Sequence, residues 1–305
     1  LFQIAPPNVT RATPVPAAAE PRVVAAAGPT QSSAVPDAAG VPRELLNAFA
    51  RREVIPFVGP AFAEYAGLWG WYTFVAELAR RSGQPMPPLE WANAEALLEI
   101  VQGYANANGV NHLVSLLRDT WGTGAAAPSA AHTALAALPV NMVFSAGYDD
   151  LVERALRAAG RRVVTVVRDG DIPFMGTGPG VVNVVKLFGD SSQPDTLVIT
   201  RQQHEQYLLD RPQLVKLLET ELGRSTLLYL GWERGEPQFA RLYGEVLARY
   251  GSMARRGYAA VVKESPAQAD ELRRINVQPL LMPTGSALDA TTSLAAWLQG
   301  LQAGL

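Results

Sequence analysis

The residues of this chain that could do chemistry lie in four short turns. Each turn follows an apolar run with the composition of a β-strand and precedes a helical pattern. The turns are Gly59-Pro60-Ala61, Ser145-Ala146-Gly147-Tyr148-Asp149, Phe188-Gly189-Asp190 and Gly231-Trp232-Glu233. Glycine at the end of a strand lets backbone N–H groups approach a pyrophosphate, and the following helix adds its positive end. The four turns together therefore predict a ligand site.

Strands alternate with helices along the chain, and the central strands are apolar throughout. This predicts an α/β fold: a Rossmann-like, mainly parallel sheet with helices on both faces. The predicted strands are Glu53–Val58, Val140–Ser145, Arg162–Val167, Val181–Leu187, Thr196–Ile199, Thr226–Leu230, Tyr258–Val262 and Val277–Leu281. Ligands of such sheets bind at the carboxyl ends of the strands, and all four turns are predicted there.

The helical patterns show where the strands are connected. After a helix that starts at Pro42, they cover Tyr72–Arg81, Trp91–Ala107, Val110–Trp121, Ala130–Leu138, Asp150–Ala159, Glu205–Leu222, Pro237–Tyr250, Ala267–Ile275 and Ala287–Leu301. The helix 205–222 is expected to break near Pro212, because proline removes a backbone donor. The spacing of Asp150 and Glu153 predicts a capping box. We expect Asp149 or Asp150 to cap that helix and Tyr148 to pack beneath it.

Composition excludes several kinds of site. The chain has 305 residues and no cysteine, which rules out disulfides, thiolate catalysis and cysteine-based zinc sites. Its three histidines are far apart in sequence, so we expect no metal site. The formal net charge of −2 gives no long-range attraction for nucleic acid. No apolar stretch approaches the roughly 20 residues of a membrane helix, and no signal peptide is visible. We expect a cytoplasmic protein without a membrane or nucleic-acid partner.

Residues 1–42 differ from the rest of the chain, with eight prolines and four charged residues. So many prolines are incompatible with the residue pattern of a regular helix or strand. We interpret residues 1–42 as a Pro/Ala-rich extended arm or linker, and residues 43–305 as one α/β domain. The arm is either a flexible linker or a segment that orders against a neighbouring subunit. If proteolysis removes it without changing the oligomer size, it is a linker.

The order of the four turns resembles the SIR2-like (sirtuin-type) NAD-binding fold family. The family has Lys-Leu-His-Gly-Asp where this chain has Lys186-Leu187-Phe188-Gly189-Asp190, and Thr-Thr-Asn-Tyr-Asp where it has residues 145–149. His132 fits the start of the helix that precedes the second motif. The resemblance implies a vestigial nucleotide cleft formed by Gly59, Ser145, Tyr148, Asp149, Gly189 and Gly231.

The same resemblance implies that the catalytic groups are missing. In the family the Asn holds the water or ribose and the His is the general base; here Gly147 and Phe188 stand at those positions. We expect His204 to lie at the surface and not to replace the base. Pro60 and Ala61 replace residues of the family's Gly-Ala-Gly turn. Glu233 replaces a small hydroxyl residue, and its carboxylate would repel a phosphate.

Three functions are open at this point. The first is a catalytically degenerate SIR2-like domain without catalytic residues or a bound cofactor. It would be a structural, self-assembly or interaction module that binds itself or a protein partner. The family resemblance suggests a bacterial antiphage context. The second is an active NAD hydrolase with another base, for which Asp149 and Glu233 are the candidates. The third is a nucleotide sensor that binds its ligand without turnover.

Overall fold

The computed structural model describes residues 41–232, 236, 246, 255–261, 266–282 and 290–305. The arm 1–42 therefore lies outside the described residues, apart from Val41 and Pro42, and its assignment stays a prediction. The predicted helix 237–250 also lies outside them, except for the buried residue Val246. Glu233 lies outside them as well.

The described residues contain seven strands in one parallel sheet. The strands are β1 (Val54–Val58), β2 (Met142–Ser145), β3 (Arg162–Val166), β4 (Val181–Lys186), β5 (Thr226–Leu230), β6 (Gly257–Val261) and β7 (Val277–Leu281). Their order in the sheet is β3-β4-β2-β1-β5-β6-β7, and every neighbouring pair is parallel. The predicted α/β fold class is confirmed. Because β1 lies between β2 and β5, the strand order reverses there, and a ligand crevice is expected at its carboxyl end.

Helices connect the strands on both faces of the sheet. They are α1 (Arg43–Ala50), α2 (Trp71–Ser82), α3 (Ala94–Asn108), α4 (Val110–Trp121), α5 (Ala130–Ala136), α6 (Leu151–Ala158), α7 (Arg201–Asp210), α8 (Pro212–Arg224), α9 (Pro266–Arg274) and α10 (Ala290–Ala303). A 3-10 helix, Pro60–Ala66, follows β1. Among the described residues, none of the helices is both long and apolar enough to cross a bilayer.

The buried side chains form two layers, one on each face of the sheet. Ile55 and Phe57 of β1 pack with residues of α2, α3, α4, α7 and α8. Val54 and Val58 of the same strand pack with residues of α1, α5, α6 and α10. Successive side chains of a strand point to opposite faces, so β1 is apolar at every position because both faces are covered.

One predicted strand is wrong. Residues Pro194–Thr196 form a 3-10 turn, and Leu197–Ile199 run on in extended form without joining the sheet. This segment is apolar because it is buried beneath the turns at the carboxyl edge. There the Val198 N–H donates to the Phe188 carbonyl oxygen at 2.9 Å, and the Val198 carbonyl accepts from the Tyr148 hydroxyl at 2.8 Å. The break near Pro212 is confirmed, since α7 ends at Asp210 and α8 begins at Pro212.

Candidate functional site

The four predicted turns meet at one edge of the sheet, because β4, β2, β1 and β5 are consecutive neighbours. The carboxyl ends of parallel strands lie at the same edge. The residues predicted for the cleft all lie at this edge: Gly59, Ser145, Tyr148, Asp149, Gly189 and Gly231. Their role in binding a ligand stays a prediction.

The turns after β1 and β5 touch through their backbones. The Gly59 N–H donates to the Leu230 carbonyl oxygen at 2.8 Å. A Cβ added to Gly59 would lie 2.3 Å from the Gly231 carbonyl oxygen. Gly231 has φ +67°, and a Cβ there would lie 2.4 Å from the Phe62 backbone nitrogen. Glycine is therefore required at both positions, and the two turns fill the crevice between β1 and β5.

A buried carboxylate covers the first turn of the 3-10 helix. Glu236 is 2% exposed, and its Oε1 accepts a hydrogen bond from the Ala61 N–H at 3.3 Å. Its Oε2 would lie 3.2 Å from a Cβ on Gly59. The first N–H groups of a helix lack acceptors within the helix, which is why anions bind there. In this chain the Glu236 side chain is the acceptor for the Ala61 N–H.

The turn after β2 brings a carboxylate next to Gly147. A Cβ at Gly147 would lie 3.0 Å from Asp149 Oδ2 and 3.8 Å from Ser145 Oγ. Tyr148 is buried between the rings of Trp71 and Trp121, with centroid distances of 6.5 and 5.7 Å. These ring contacts come from α2 and α4, so the packing of Tyr148 beneath α6 stays a prediction. A side chain at position 147, where the family has Asn, would thus meet the Asp149 carboxylate and the Ser145 hydroxyl.

The start of α6 differs from the prediction. Asp149 Oδ1 accepts from the Leu151 N–H at 3.0 Å, whereas the Asp150 side chain makes no capping hydrogen bond and forms an ion pair with Arg154 at 3.6 Å. The predicted Asp150/Glu153 capping box is therefore wrong. Glu153 is buried because it faces Lys186 inside the protein.

The ring at the family's histidine position points into the core. Phe188 is 1% exposed and contacts the rings of Tyr207 at 5.0 Å and His204 at 5.4 Å. The prediction that His204 lies at the surface is wrong, since His204 is buried on the inner side of α7. Gly189, with φ +99°, fixes the turn that follows: a Cβ there would lie 2.3 Å from the Thr196 carbonyl oxygen.

A buried ammonium joins the turns after β2 and β4. Lys186 Nζ lies 2.8 Å from Asp190 Oδ2 and 3.6 Å from Glu153 Oε1, and it donates to the Asp149 carbonyl oxygen. Burial alone would raise the pKa of Asp190, but the charge and hydrogen bond of Lys186 outweigh it and lower that pKa. Burial raises the pKa of Glu153 despite the attraction of Lys186. Lys186⁺ with Asp190⁻ is therefore the charged pair of this cluster.

His132 lies in the first turn of α5, which begins at Ala130, so the helix near a His that was predicted before the second motif is present. The Ser129 hydroxyl and His132 Nδ1 lie 2.8 Å apart, and the imidazole contacts the Phe62 ring at 4.5 Å. Burial lowers the pKa of His132 to about 4, so its imidazole is neutral near pH 7. Its partners make it a helix-capping residue.

Two cavities have none of the four turns in their lining, although the second is lined in part by Thr196 and Val198, which contact Gly189 and Phe188. One of about 300 Å³ lies between α2 and α4, and one of about 400 Å³ is lined by the α7 residues Gln203, Tyr207 and Asp210. Neither is lined by Gly59, Gly147, Phe188 or Gly231. Within the part of the chain that the structure describes, no cluster of three or more His, Asp or Glu residues could hold a metal ion.

Two residues of this edge were not predicted from the sequence. Glu236 follows β5 by six positions, and its partner Ala61 is 175 residues away, so no local pattern connects them. Glu153 matched a capping pattern, and only the neighbouring Lys186 at the end of β4 explains its burial. Lys186, which ends a predicted buried strand, could have indicated a carboxylate such as Glu153 in the interior, because a buried ammonium requires carboxylate partners.

A family model described as a SIR2-like domain matches residues 141–280. The NAD(+) hydrolase ThsA of Acinetobacter baumannii is 28% identical over 212 residues, which cover 69% of this chain and 42% of that protein. The protein of the same name from Enterococcus faecium is 28% identical over 194 residues, which cover 62% of this chain and 39% of that protein. The chain thus spans about two fifths of the length of these relatives.

Solved structures of similar architecture include a Sir2 homologue in complex with NAD. It is 15% identical to this chain, has a TM-score of 0.44, and is matched over 94% of its length and 85% of this chain. A Sir2 homologue F159A mutant in complex with ADP-ribose is 16% identical to this chain, with a TM-score of 0.43. The match covers 97% of that chain and 85% of this one.

The contact between Gly59 and Gly231 leads to a test of stability. We expect Gly59→Ala to lower the free energy of unfolding by about 1–3 kcal/mol, because the added methyl group overlaps the Gly231 carbonyl. Gly300→Ala is the control: a Cβ there meets no atom within 4 Å, and alanine favours the helix α10. Urea denaturation of both variants measures the difference. Equal stability of Gly59→Ala and the wild type would contradict the close contact.

The Lys186 cluster leads to a second test. Asp190→Asn should lower the free energy of unfolding at pH 7 by about 3 kcal/mol, because it removes a partner of a buried ammonium. Glu153→Gln should cost less than Asp190→Asn, because Glu153 Oε1 lies farther from Lys186 Nζ, at 3.6 Å against 2.8 Å.

The pH dependence of these variants follows from the lowered pKa of Asp190. Its stabilising contribution is complete above its ordinary value of 3.8 and is lost as the pH falls through the lower folded value. The difference in unfolding free energy between the wild type and Asp190→Asn should therefore narrow below pH 3.8. Denaturant titrations from pH 7 to pH 3 measure it, and a constant difference would contradict the assignment of the charged pair.

Proposed function

Because this chain carries a SIR2-like domain, as its sequence motifs indicated, we propose that it is an NAD hydrolase domain whose general base is Asp149. The matching relatives named NAD(+) hydrolase ThsA support NAD as the substrate class. The observation that carries the assignment of the base is the position of Asp149, whose Oδ2 lies 3.0 Å from where a Cβ of residue 147 would stand. Since the chain spans about two fifths of those relatives, the hydrolase activity is carried over as a proposal.

The proposed reaction replaces the bond between ribose and nicotinamide with a bond to water. The ribosyl carbon acquires positive charge as nicotinamide leaves with the bonding electron pair and becomes neutral. A water oxygen bonds to that carbon, and its proton passes to the Asp149 carboxylate. A carboxylate suits both steps, because it stabilises an oxocarbenium-like transition state and accepts the proton. The hydrogen bond from Leu151 N–H holds Asp149 in this orientation.

A second candidate is a degenerate domain that retains the fold and has lost hydrolysis. The observation that favours it is Phe188, which occupies the family's histidine position and packs into the core. Under this candidate the domain is a module for self-assembly or for binding a protein partner. Such assembly, a cytoplasmic location and an antiphage role are proposals drawn from the family resemblance.

The hydrolase proposal is tested by following nicotinamide release from NAD by chromatography. We expect Asp149→Asn to reduce the rate at least about 100-fold, because it removes the base while keeping an oxygen that can accept from the Leu151 N–H. Asp150→Asn is the matched control, and its rate should stay within about twofold, since its ion pair with Arg154 contributes little.

Three results decide between the candidates. Release that Asp149→Asn abolishes and Asp150→Asn preserves supports the hydrolase with Asp149 as base. Release that survives Asp149→Asn overturns the role of Asp149. Wild-type protein that releases no nicotinamide above background overturns the hydrolase and supports the degenerate domain.

Phe188→His tests whether the family's base position still faces a substrate. We expect the variant to release nicotinamide no faster than the wild type, because this side chain points towards Tyr207 and away from solvent. Its free energy of unfolding should fall by about 1–3 kcal/mol, since a polar ring replaces a buried apolar one. Chromatography and urea denaturation measure the two effects. A gain in release would mean that position 188 reaches the substrate.

A further inference from the structure

The cavity of about 300 Å³ between α2 and α4 is lined mainly by apolar side chains. Phe74 and Leu78 of this lining are buried, at 2% and 0% exposure. Leu68 and Leu116 are half-buried, and the Trp69 side chain is 44% exposed. Sites for small molecules have this composition, with apolar and aromatic walls and few polar groups, and their volumes begin at about 300 Å³. The cavity therefore suits a small, largely apolar ligand.

The backbone of Trp69 is fixed from two sides. Gly67, with φ +80°, ends the 3-10 helix Pro60–Ala66 and turns the chain towards α2. The Trp121 indole N–H, at the end of α4, donates to the Trp69 carbonyl oxygen at 2.8 Å. A ligand thus meets a wall that is already formed, and binding requires little ordering of the chain. The exposed part of the Trp69 ring is apolar surface that a ligand can remove from water.

Three charged side chains line the cavity, and only one of them lacks a partner. Glu77 forms ion pairs with Arg80 and Arg81, both at 2.7 Å. The hydrogen bonds from these two arginines lower the pKa of Glu77 to about 2. Asp119 is exposed, and within the described part of the chain it has no hydrogen bond or ion pair. The charges of Glu77 and Arg81 compensate each other, which leaves the Asp119 carboxylate as the uncompensated charge of the lining.

We propose that this cavity binds a small aromatic amine, with the aromatic ring against the apolar lining and the ammonium group beside Asp119. A carboxylate attracts a cation and repels an anion. Tryptophan is the side chain whose ring attracts a cation most strongly, so Trp69 favours the same charge. This inference goes beyond the proposed function, because it requires neither NAD nor a role of Asp149 in hydrolysis.

The test compares two probes of nearly the same shape, phenethylamine and phenethyl alcohol, which differ in charge at pH 7. NMR titration of the full chain follows the indole N–H signal of Trp69, identified by its loss in Trp69→Phe. We expect phenethylamine to bind with a dissociation constant at least about fivefold below that of the alcohol, because only the amine gains from Asp119 and from the cation–ring attraction. In Asp119→Asn this ratio should fall at least about threefold.

Two further variants locate the site and control for charge. Asp210→Asn removes the same charge from the exposed end of α7, outside this cavity, and should leave the ratio unchanged. Leu116→Trp places a larger side chain in the lining and should weaken binding of both probes. Thermal unfolding shows whether each variant is folded. If Leu116→Trp does not fold, the comparison of Asp119→Asn with Asp210→Asn still decides.

Each result supports or overturns the inference. A fall in the ratio for Asp119→Asn alone, with loss of both probes in a folded Leu116→Trp, supports it. A Trp69 signal that phenethylamine does not move overturns it, as does equal affinity for the two probes. An unchanged ratio in Asp119→Asn, an equal fall in Asp210→Asn, or undiminished binding to folded Leu116→Trp also overturns it. Nicotinamide release is not measured in this experiment, so the hydrolase proposal can fail while this inference holds, and the reverse.

Discussion

The carboxyl edge of the sheet depends on one buried ammonium. Lys186 is the last residue of β4, is fully buried, and joins Asp190, Glu153 and the Asp149 carbonyl. An unpaired charge in a protein interior costs several kcal/mol, so these groups must stay together in the folded state. The turn after β2, the turn after β4 and the helix α6 are therefore fixed relative to one another. The orientation of the Asp149 carboxylate, and with it any chemistry at Gly147, follows from this cluster.

The repeating elements of the fold could be predicted because their signals are local. Burial on both faces makes β1 apolar at every position and β2 and β4 largely apolar, and proline at residue 212 separates α7 from α8. The same reasoning predicted a strand at residues 196–199, and that prediction was wrong. An apolar run shows that a segment is buried, but it does not show that a neighbouring strand is available to pair with it. Here the segment is buried under the turns, where Tyr148 and Phe188 supply its hydrogen bonds.

The candidate site was only partly predictable, because its decisive contacts join distant parts of the chain. The positions of Gly59, Asp149 and Gly231 followed from the strand ends. The contact of Glu236 with Ala61 spans 175 residues, and the burial of His204 depends on the ring of Phe188, so neither had a signal within its own segment. The turn after β2 shows the same limit. Two adjacent aspartates could each cap α6, and the choice of Asp149 depends on the geometry of the preceding turn.

The substitutions at this edge remove two polar groups of the family and leave two acidic side chains in place. A neutral amide and an imidazole of the family are replaced by Gly147 and Phe188, while the carboxylates of Asp149 and Glu236 lie at the ends of β2 and β5. Carboxylates favour a cationic transition state at the ribose and oppose the anionic phosphates of the same substrate.

The two carboxylates have different surroundings. Asp149 is held by the Leu151 N–H, and its backbone carbonyl is bonded to the buried ammonium of Lys186. Glu236 follows β5, and its Oε1 accepts from the Ala61 N–H at 3.3 Å. Because β1 lies between β2 and β5, the two side chains belong to turns on opposite sides of β1. The position of Asp149 depends on the Lys186 cluster, which joins the turns after β2 and β4.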